Sequence, residues 1–321
     1  MNKPYIYITR KLPESVVQPF KSEYDIHMWP YSDQPVDRET LLHEAAKADA
    51  LLTMLTDRVD EALLNAASEL TIVANLAVGY DNVDVASAKA RGIHITNTPD
   101  VLTDTTADLT FALLMATARK LTQAEQFIKD GEWDNWSPLL MAGTDVHHKT
   151  LGIVGMGRIG EAVAQRAQGF DMEVIYHNRS RKSETEEKLG VTYSSFESLL
   201  QQSDFVVCLA PLTSETTHLF NEAAFQQMKQ EAIFINTSRG KIVDGEALYQ
   251  ALVSGEIKAA GLDVFEEEPI NSDHPLLNLD QTVCLPHIGS ASTETRIAMM
   301  ELCLDNITRV LQGEDPITPV T

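Results

Sequence analysis

No apolar run in this chain reaches the ~18–20 residues that a membrane-spanning helix needs, so a helical membrane protein is excluded. The opening MNKPYIYITRK lacks the basic-then-apolar layout of a secretory leader. Cysteine is scarce: Cys208, Cys284 and Cys303 lie far apart, which offers neither a disulfide framework nor a metal-ligand pairing. Cys208 and Cys284 sit in apolar runs and read as buried, reduced thiols, so the expected location is the cytoplasm. Positive charge is also short, with 25 Lys and Arg against 47 Asp and Glu and a formal net charge of -22. Such a surface repels phosphate backbones and argues against a nucleic-acid partner. An anionic substrate would need a locally basic pocket, which draws attention to isolated arginines. Neither a repeat of ~20–50 residues nor a low-complexity segment is present.

At 321 residues the chain is long enough for two cores. Residues 1–99 alternate short apolar runs at 5–9, 25–29, 50–55, 71–76 and 93–96 with helical patterns at 14–21, 38–48, 58–68 and 83–90. That alternation predicts a small doubly wound α/β domain. Residues 101–129 predict one or two helices that bridge to a second domain, with Trp133 and Trp136 as packing residues near their end. From Thr150 the alternation restarts, with strands expected at 205–209, 232–236, 259–264 and 282–285 and a helix at 245–253. A helical tail at 292–311 ends before Gly313.

The stretch LGIVGMGRIG at 151–160 organises this second half. An apolar strand breaks into Gly155-x-Gly157-x-x-Gly160 and continues as an amphipathic helix. In a dinucleotide-binding unit the first glycine makes a tight turn and the second admits a pyrophosphate. The third lets helix and strand pack, with the phosphates at the positive helix N-terminus. The next strand ends in His177-Asn178-Arg179-Ser180-Arg181, where an NAD-binding unit usually carries an acid for the ribose hydroxyls. Asn178 removes the carboxylate that would repel a 2′-phosphate, and Arg179, Ser180 and Arg181 could bind one. NADP is therefore expected in preference to NAD, with NAD still possible. The competing reading is a solvated basic turn neutralised by Glu184, Glu186 and Glu187.

Three segments follow successive strands at their carboxyl ends: Ser238-Arg239-Gly240, Asp263-Val-Phe-Glu-Glu-Glu268-Pro269 and Pro286-His287-Ile-Gly289. Open α/β sheets bind ligands at that edge. Reducing a 2-keto acid needs a cation to hold the carboxylate and polarise the ketone, and an acid to protonate the developing alkoxide. Arg239 and His287 suit these roles, and a carboxylate beside the imidazole stabilises its protonated form.

These ordered motifs resemble the D-2-hydroxyacid dehydrogenase family over nearly the whole chain. Within it, Asp145-Val-His-His-Lys-Thr-Leu-Gly-Ile and His177-Asn-Arg are similar to the glyoxylate, hydroxypyruvate and 2-ketogluconate reductases. The resemblance implies a Rossmann dinucleotide-binding domain at 100–287 inserted into a flavodoxin-like substrate domain at 1–99 plus 288–321. Substrate would bind between the domains. It implies that Arg239 binds and polarises substrate, Glu268 pairs with the histidine, and His287 is the acid/base. The loop 77–82 would offer backbone N–H groups to the substrate carboxylate, giving Leu55, Val78 and Gly79 as substrate-side residues beside Arg239. Arg158, Ile159, Pro211, Thr216, Thr237, Ser238 and Asp263 would join the glycines and the 178–181 turn around the cofactor. Glu at 268 speaks against formate oxidation, whose enzymes carry Gln there. The His147–His148 pair reads as a fold feature rather than a metal site, since adjacent histidines on a strand point opposite ways. Family members are typically dimers through the cofactor domain. The alternatives are an NAD-linked D-lactate-type dehydrogenase and a nucleotide-sensing, co-repressor-like binding protein.

Overall fold

The computed structural model of the chain describes residues 3–320. The chain divides into two compact units, one running to Leu102 and resuming at Ala291, the other spanning Thr103–Ser290.

The first unit alternates β1 (Tyr5–Ile8), α1 (Glu14–Val17), β2 (Asp25–Met28), α2 (Arg38–Ala45), β3 (Ala50–Thr53), α3 (Glu61–Ala66), β4 (Ile72–Asn75), α4 (Val85–Ala90) and β5 (His94–Thr96). Its sheet is wholly parallel in the order β2-β1-β3-β4-β5, the flavodoxin-like winding. All four residues of β3 and of β4 are buried, which is why those strands read as unbroken apolar runs. Asp37, Asp60 and Asp84 start α2, α3 and α4 by accepting the N–H of Thr40, Leu63 and Ser87. The helix expected over 14–21 stops at Val17 and continues as a 3-10 turn, Gln18–Phe20. Pro19 has no N–H to donate to an α-helical ladder.

The second unit contains α5 (Thr103–Ala118), α6 (Leu121–Lys129), β6 (Thr150–Val154), α7 (Arg158–Gln168), β7 (Glu173–His177), α8 (Ser183–Leu189), β8 (Thr192–Tyr193), α9 (Phe196–Gln202), β9 (Phe205–Cys208), α10 (Glu222–Gln226), β10 (Ile233–Asn236), α11 (Gly245–Ser254), β11 (Ala259–Leu262) and β12 (Thr282–Cys284). The sheet order is β12-β11-β10-β9-β6-β7-β8, all parallel. Winding runs outward in both directions from β6, so the switch point lies between β6 and β9. Successive side chains face opposite sides. Ile233 and Ile235 join the core of α5 and α7, while Phe234 joins that of α9, α10 and α11. Each such buried side chain is worth roughly 1.5–3 kcal/mol. The helix after β12, α12 (Thr293–Leu311), is capped by Ser292 and packs on β3, β4 and β5 of the first sheet.

Both breaks fall slightly beyond the expected positions. Residues 101–129 are not a bridge: α5 packs against α7, β10 and β11 and belongs wholly to the second unit. Lys120, in a left-handed conformation (φ 53), separates it from α6. Trp133 and Trp136 are not packing residues either, being 56% and 76% exposed, with Leu139 at 82%. The chain leaves α6 at Gly131 and crosses the surface without regular structure. His147 and His148 occupy a turn ahead of β6, not a strand; His148 has φ 59 and the two rings meet edge to face at 5.0 Å. Burial pushes the Cys208 thiol up to about 12 and that of Cys284 to about 11, so neither is a nucleophile near neutral pH. Among the described residues no helix is long and apolar enough to cross a membrane.

Candidate active site

The glycine turn sits between β6 and α7, at the switch point. Gly155 has φ 104, and a Cβ there would lie 2.4 Å from Ala210 N, so only glycine makes this turn beside β9. A Cβ on Gly160 would meet Gly155 O at 2.6 Å, while nothing lies within 4 Å of one on Gly157. The turn is thus closed on its protein side and open at Gly157. Arg158 and Ile159 begin α7, whose N-terminus faces that space. This cradle fits the pyrophosphate of a dinucleotide.

The acceptor turn after β7 is more specialised than its sequence suggests. Asn178 Oδ1 accepts the Met156 N–H at 2.7 Å, and its amide donates to Met156 O at 3.1 Å. The amide therefore braces the glycine turn. Arg181 is bound by Glu186 through Nε at 2.8 Å and Nη2 at 2.7 Å, an exposed ion pair with which a 2′-phosphate would compete. Ser180 is exposed. Arg179 is 88% exposed and reaches Glu215, on the loop after β9, at 3.8 Å. That loop is stiffened from within: Thr216 Oγ1 donates to Pro211 O at 2.7 Å and accepts the Thr213 N–H at 2.8 Å. Glu215 went unnoticed in the sequence because its partner lies far along the chain.

The catalytic candidates converge at the carboxyl ends of β10, β11 and β12. Buried Asn236 ends β10, accepts the Ser238 N–H at 3.0 Å and donates to Arg239 O at 3.0 Å, fixing the turn that carries Arg239. Arg239 Nη1 donates to Ser238 O at 2.9 Å. Ser238 Oγ donates to Ala210 O, and Thr237 Oγ1 meets Thr110 Oγ1 at 2.7 Å in the interior. A Cβ on Gly240 would overlap the Phe265 carbonyl carbon at 1.8 Å. Glycine here lets the loops after β10 and β11 touch.

Glu268 Oε2 lies 2.7 Å from His287 Nδ1, each side chain 25% exposed. The other Glu268 oxygen accepts the Phe265 N–H at 3.0 Å. Burial works to raise the Glu268 carboxyl, but the hydrogen bond and charge of His287, the Phe265 N–H and the charge of Arg239 together hold it below its ordinary value. Glu268 is therefore an anion that fixes the imidazole through Nδ1 and leaves Nε2 as the ring's other proton-carrying atom.

His287 has φ 52, a left-handed conformation rare for a residue with a Cβ. Asp263, with no exposed surface, holds that turn: Oδ1 accepts the Ile288 N–H and Oδ2 the Gly289 N–H, both at 2.8 Å. Burial pushes the Asp263 carboxyl up, against the pull of the Ile288 N–H, the His287 charge and the Gly289 N–H.

In the first unit the loop after β4 is tied down by three asparagines: Asn75 at the end of β4, Asn97 just after β5, and Asn82 in the loop itself. Asn75 donates to Gly79 O at 3.1 Å, Asn97 to Val78 O at 2.8 Å, and Asn82 to Met54 O and Asp57 O at 3.1 and 2.9 Å. The Thr98 N–H donates to Ala77 O at 2.9 Å. Three successive carbonyls thus point into protein, and in trans peptides the N–H groups of Val78 and Gly79 point the other way. Val78, Gly79 and Leu55 are half-buried. The asparagines were missed as supports of this loop; Asn75 at the end of β4 and Asn97 just after β5 were the available signal, whereas Asn82 lies within the loop itself.

A doubly wound parallel sheet with a glycine cradle at its switch point, and Arg, Glu–His and a buried Asp at its carboxyl edge, defines a nicotinamide-nucleotide-dependent oxidoreductase. Residues 111–289 match the model of the D-isomer specific 2-hydroxyacid dehydrogenase, NAD binding domain. A glyoxylate reductase of Korarchaeum cryptofilum is 48% identical over 315 residues, covering 98% of this chain and 95% of that protein. A solved structure from Thermus thermophilus superposes with a TM-score of 0.93 at 41% identity, covering 99% of this chain and 100% of the other. An NADPH-dependent glyoxylate/hydroxypyruvate reductase from Sinorhizobium meliloti, solved with NADP and malonate, gives 0.84 at 35% identity, covering 100% of this chain and 97% of its own. The chain belongs to the D-isomer-specific 2-hydroxyacid dehydrogenase family. It is an NAD(P)-dependent oxidoreductase of 2-hydroxy and 2-keto acids.

Proposed function

We propose that this enzyme reduces small 2-keto acids, among them glyoxylate, hydroxypyruvate and 2-ketogluconate, to D-2-hydroxy acids with NADPH preferred over NADH. The observation that carries the reading is the Glu268–His287 pair beside Arg239 at the edge of a sheet that also bears the glycine cradle. When bound, the nicotinamide supplies the hydride. Arg239 holds the substrate carboxylate and polarises the ketone. In the first unit, Val78 and Gly79, with their outward N–H groups, and Leu55 are the substrate-side residues that the family resemblance implies. His287 delivers its Nε2 proton to the alkoxide as charge develops there. Glu268 keeps the imidazole oriented and compensates its positive charge, and Asp263 serves the site through the turn it pins. The relatives named as glyoxylate reductases favour this substrate class.

NADPH preference rests on the missing acid at Asn178 and on Arg179, with Ser180 beside it. Homodimerisation rests on the second unit's exposed apolar side chains: Leu121 and Ile128 on α6, followed by Trp133, Trp136 and Leu139. Such an apolar stretch marks an interaction surface. Hydroxypyruvate and NADPH incubated with the enzyme, with the glycerate resolved by chiral chromatography, test the reading. D-glycerate is expected; L-glycerate, or no product, refutes it.

A further inference from the structure

The loops after β7 and β9 flank the glycine turn after β6, because the sheet runs β9-β6-β7. Arg179 and Glu215 stand one on each loop and meet at 3.8 Å, so their pair spans the turn where the adenosine half of a dinucleotide lies. Both project from braced backbone. Asn178 is bonded twice to Met156, and the 211–217 loop is cross-linked by Thr213 and Thr216, with the Glu215 N–H donating to Thr213 Oγ1 at 3.2 Å. The neighbouring cations are committed elsewhere: Arg181 to Glu186, and Lys182 to Glu161 at 3.4 Å.

We propose that Glu215 is a specificity-determining residue for the cofactor's 2′ substituent, acting as the acidic half of a clasp with Arg179. The proposal rests on reading Arg179 as the 2′-phosphate contact. A 2′-phosphate must displace the Glu215 carboxylate from the guanidinium and then lie beside it. A 2′-hydroxyl leaves the pair intact and can donate to the carboxylate. Glu215 therefore holds down NADP affinity and sustains NAD affinity, making cofactor preference a balance of two charges rather than the work of Arg179 alone.

The test is equilibrium titration of NADPH and NADH, followed by reduced-nicotinamide fluorescence, on wild type, Glu215→Gln, Arg179→Ala and the double variant. Both side chains are exposed, so folding is unaffected. Glu215→Gln is expected to tighten NADPH about three- to tenfold, the scale of one charge interaction at a few ångströms in solvent. NADH should change less than about twofold or weaken, and the NADPH effect should shrink in ~1 M salt. In the Arg179→Ala background the Glu215→Gln change in the NADPH:NADH ratio should fall well below its value in wild type, because the clasp is gone. A ratio unchanged by Glu215→Gln, or an effect of full size without Arg179, overturns the clasp. If Arg179→Ala leaves the ratio untouched, the 2′-phosphate reading falls and the clasp with it. If Arg179→Ala lowers the ratio and Glu215→Gln does not raise it, the clasp alone fails.

Discussion

Asp263→Asn probes how the fold holds its proton donor. The wild-type carboxylate uses one oxygen for the Ile288 N–H and the other for the Gly289 N–H, both at 2.8 Å and with no exposed surface. Asparagine keeps one acceptor and turns an amide NH₂ toward the second N–H, leaving two buried donors facing each other. A hydrogen bond to a charged group is worth about 1.5–3 kcal/mol, and an unsatisfied buried donor costs about 1–3. Part of this is recovered because a neutral side chain is cheaper to bury than the carboxylate, whose titration is already pushed up. A net loss of about 1–3 kcal/mol remains, which lowers the unfolding midpoint by roughly 2–12 °C for a unit of this size. The freed turn carries His287 in a left-handed conformation, and a displacement of about 1 Å can cost up to about a hundredfold in rate. Differential scanning calorimetry and steady-state kinetics on the same preparation read both effects. An unchanged midpoint together with an unchanged kcat would refute the idea that Asp263 holds the turn.

His287→Ala should lower kcat about 10²–10⁴-fold with the fold intact, measured by initial rates; near-normal turnover would remove it as the acid. Arg239→Ala should raise KM and lower kcat together, since it acts on both the bound carboxylate and the ketone; a change in KM alone would limit it to binding. The Glu268 carboxyl titrates below its ordinary value, so the pair's stabilisation is present above the unfolded value of about 4.3 and is lost as pH falls through the lowered one. Wild type should therefore lose stability more steeply than Glu268→Gln below about pH 4.3, read from urea midpoints across pH; parallel curves would contradict the shift. Leu139→Asp, an exposed position, should yield a monomer by light scattering if the face at 121–140 joins two copies, whereas an unchanged mass would exclude that residue from the interface.

Much of the site was legible because it lies where alternation and glycine spacing leave no choice. Unbroken apolar runs ending in Asn236, Leu262 and Cys284 put Arg239, Asp263 and His287 on one sheet edge. Side-chain commitments were not legible. Glu186 on α8 stands against Arg181, and the amide of Asn178, the neutral residue at the usual acidic position, turns back on Met156. Both depend on rotamers and helix starts, which residue spacing does not specify. Trp133 and Trp136 read as packing residues, but they stand on a segment without regular structure and are exposed.

The most direct measurement is the matrix of kcat/KM for glyoxylate, hydroxypyruvate and 2-ketogluconate with NADPH and with NADH. Turnover of small 2-keto acids, faster with NADPH in every row, is the expected result. Turnover confined to NADH, or cofactor binding without turnover of any of the three acids, would contradict it.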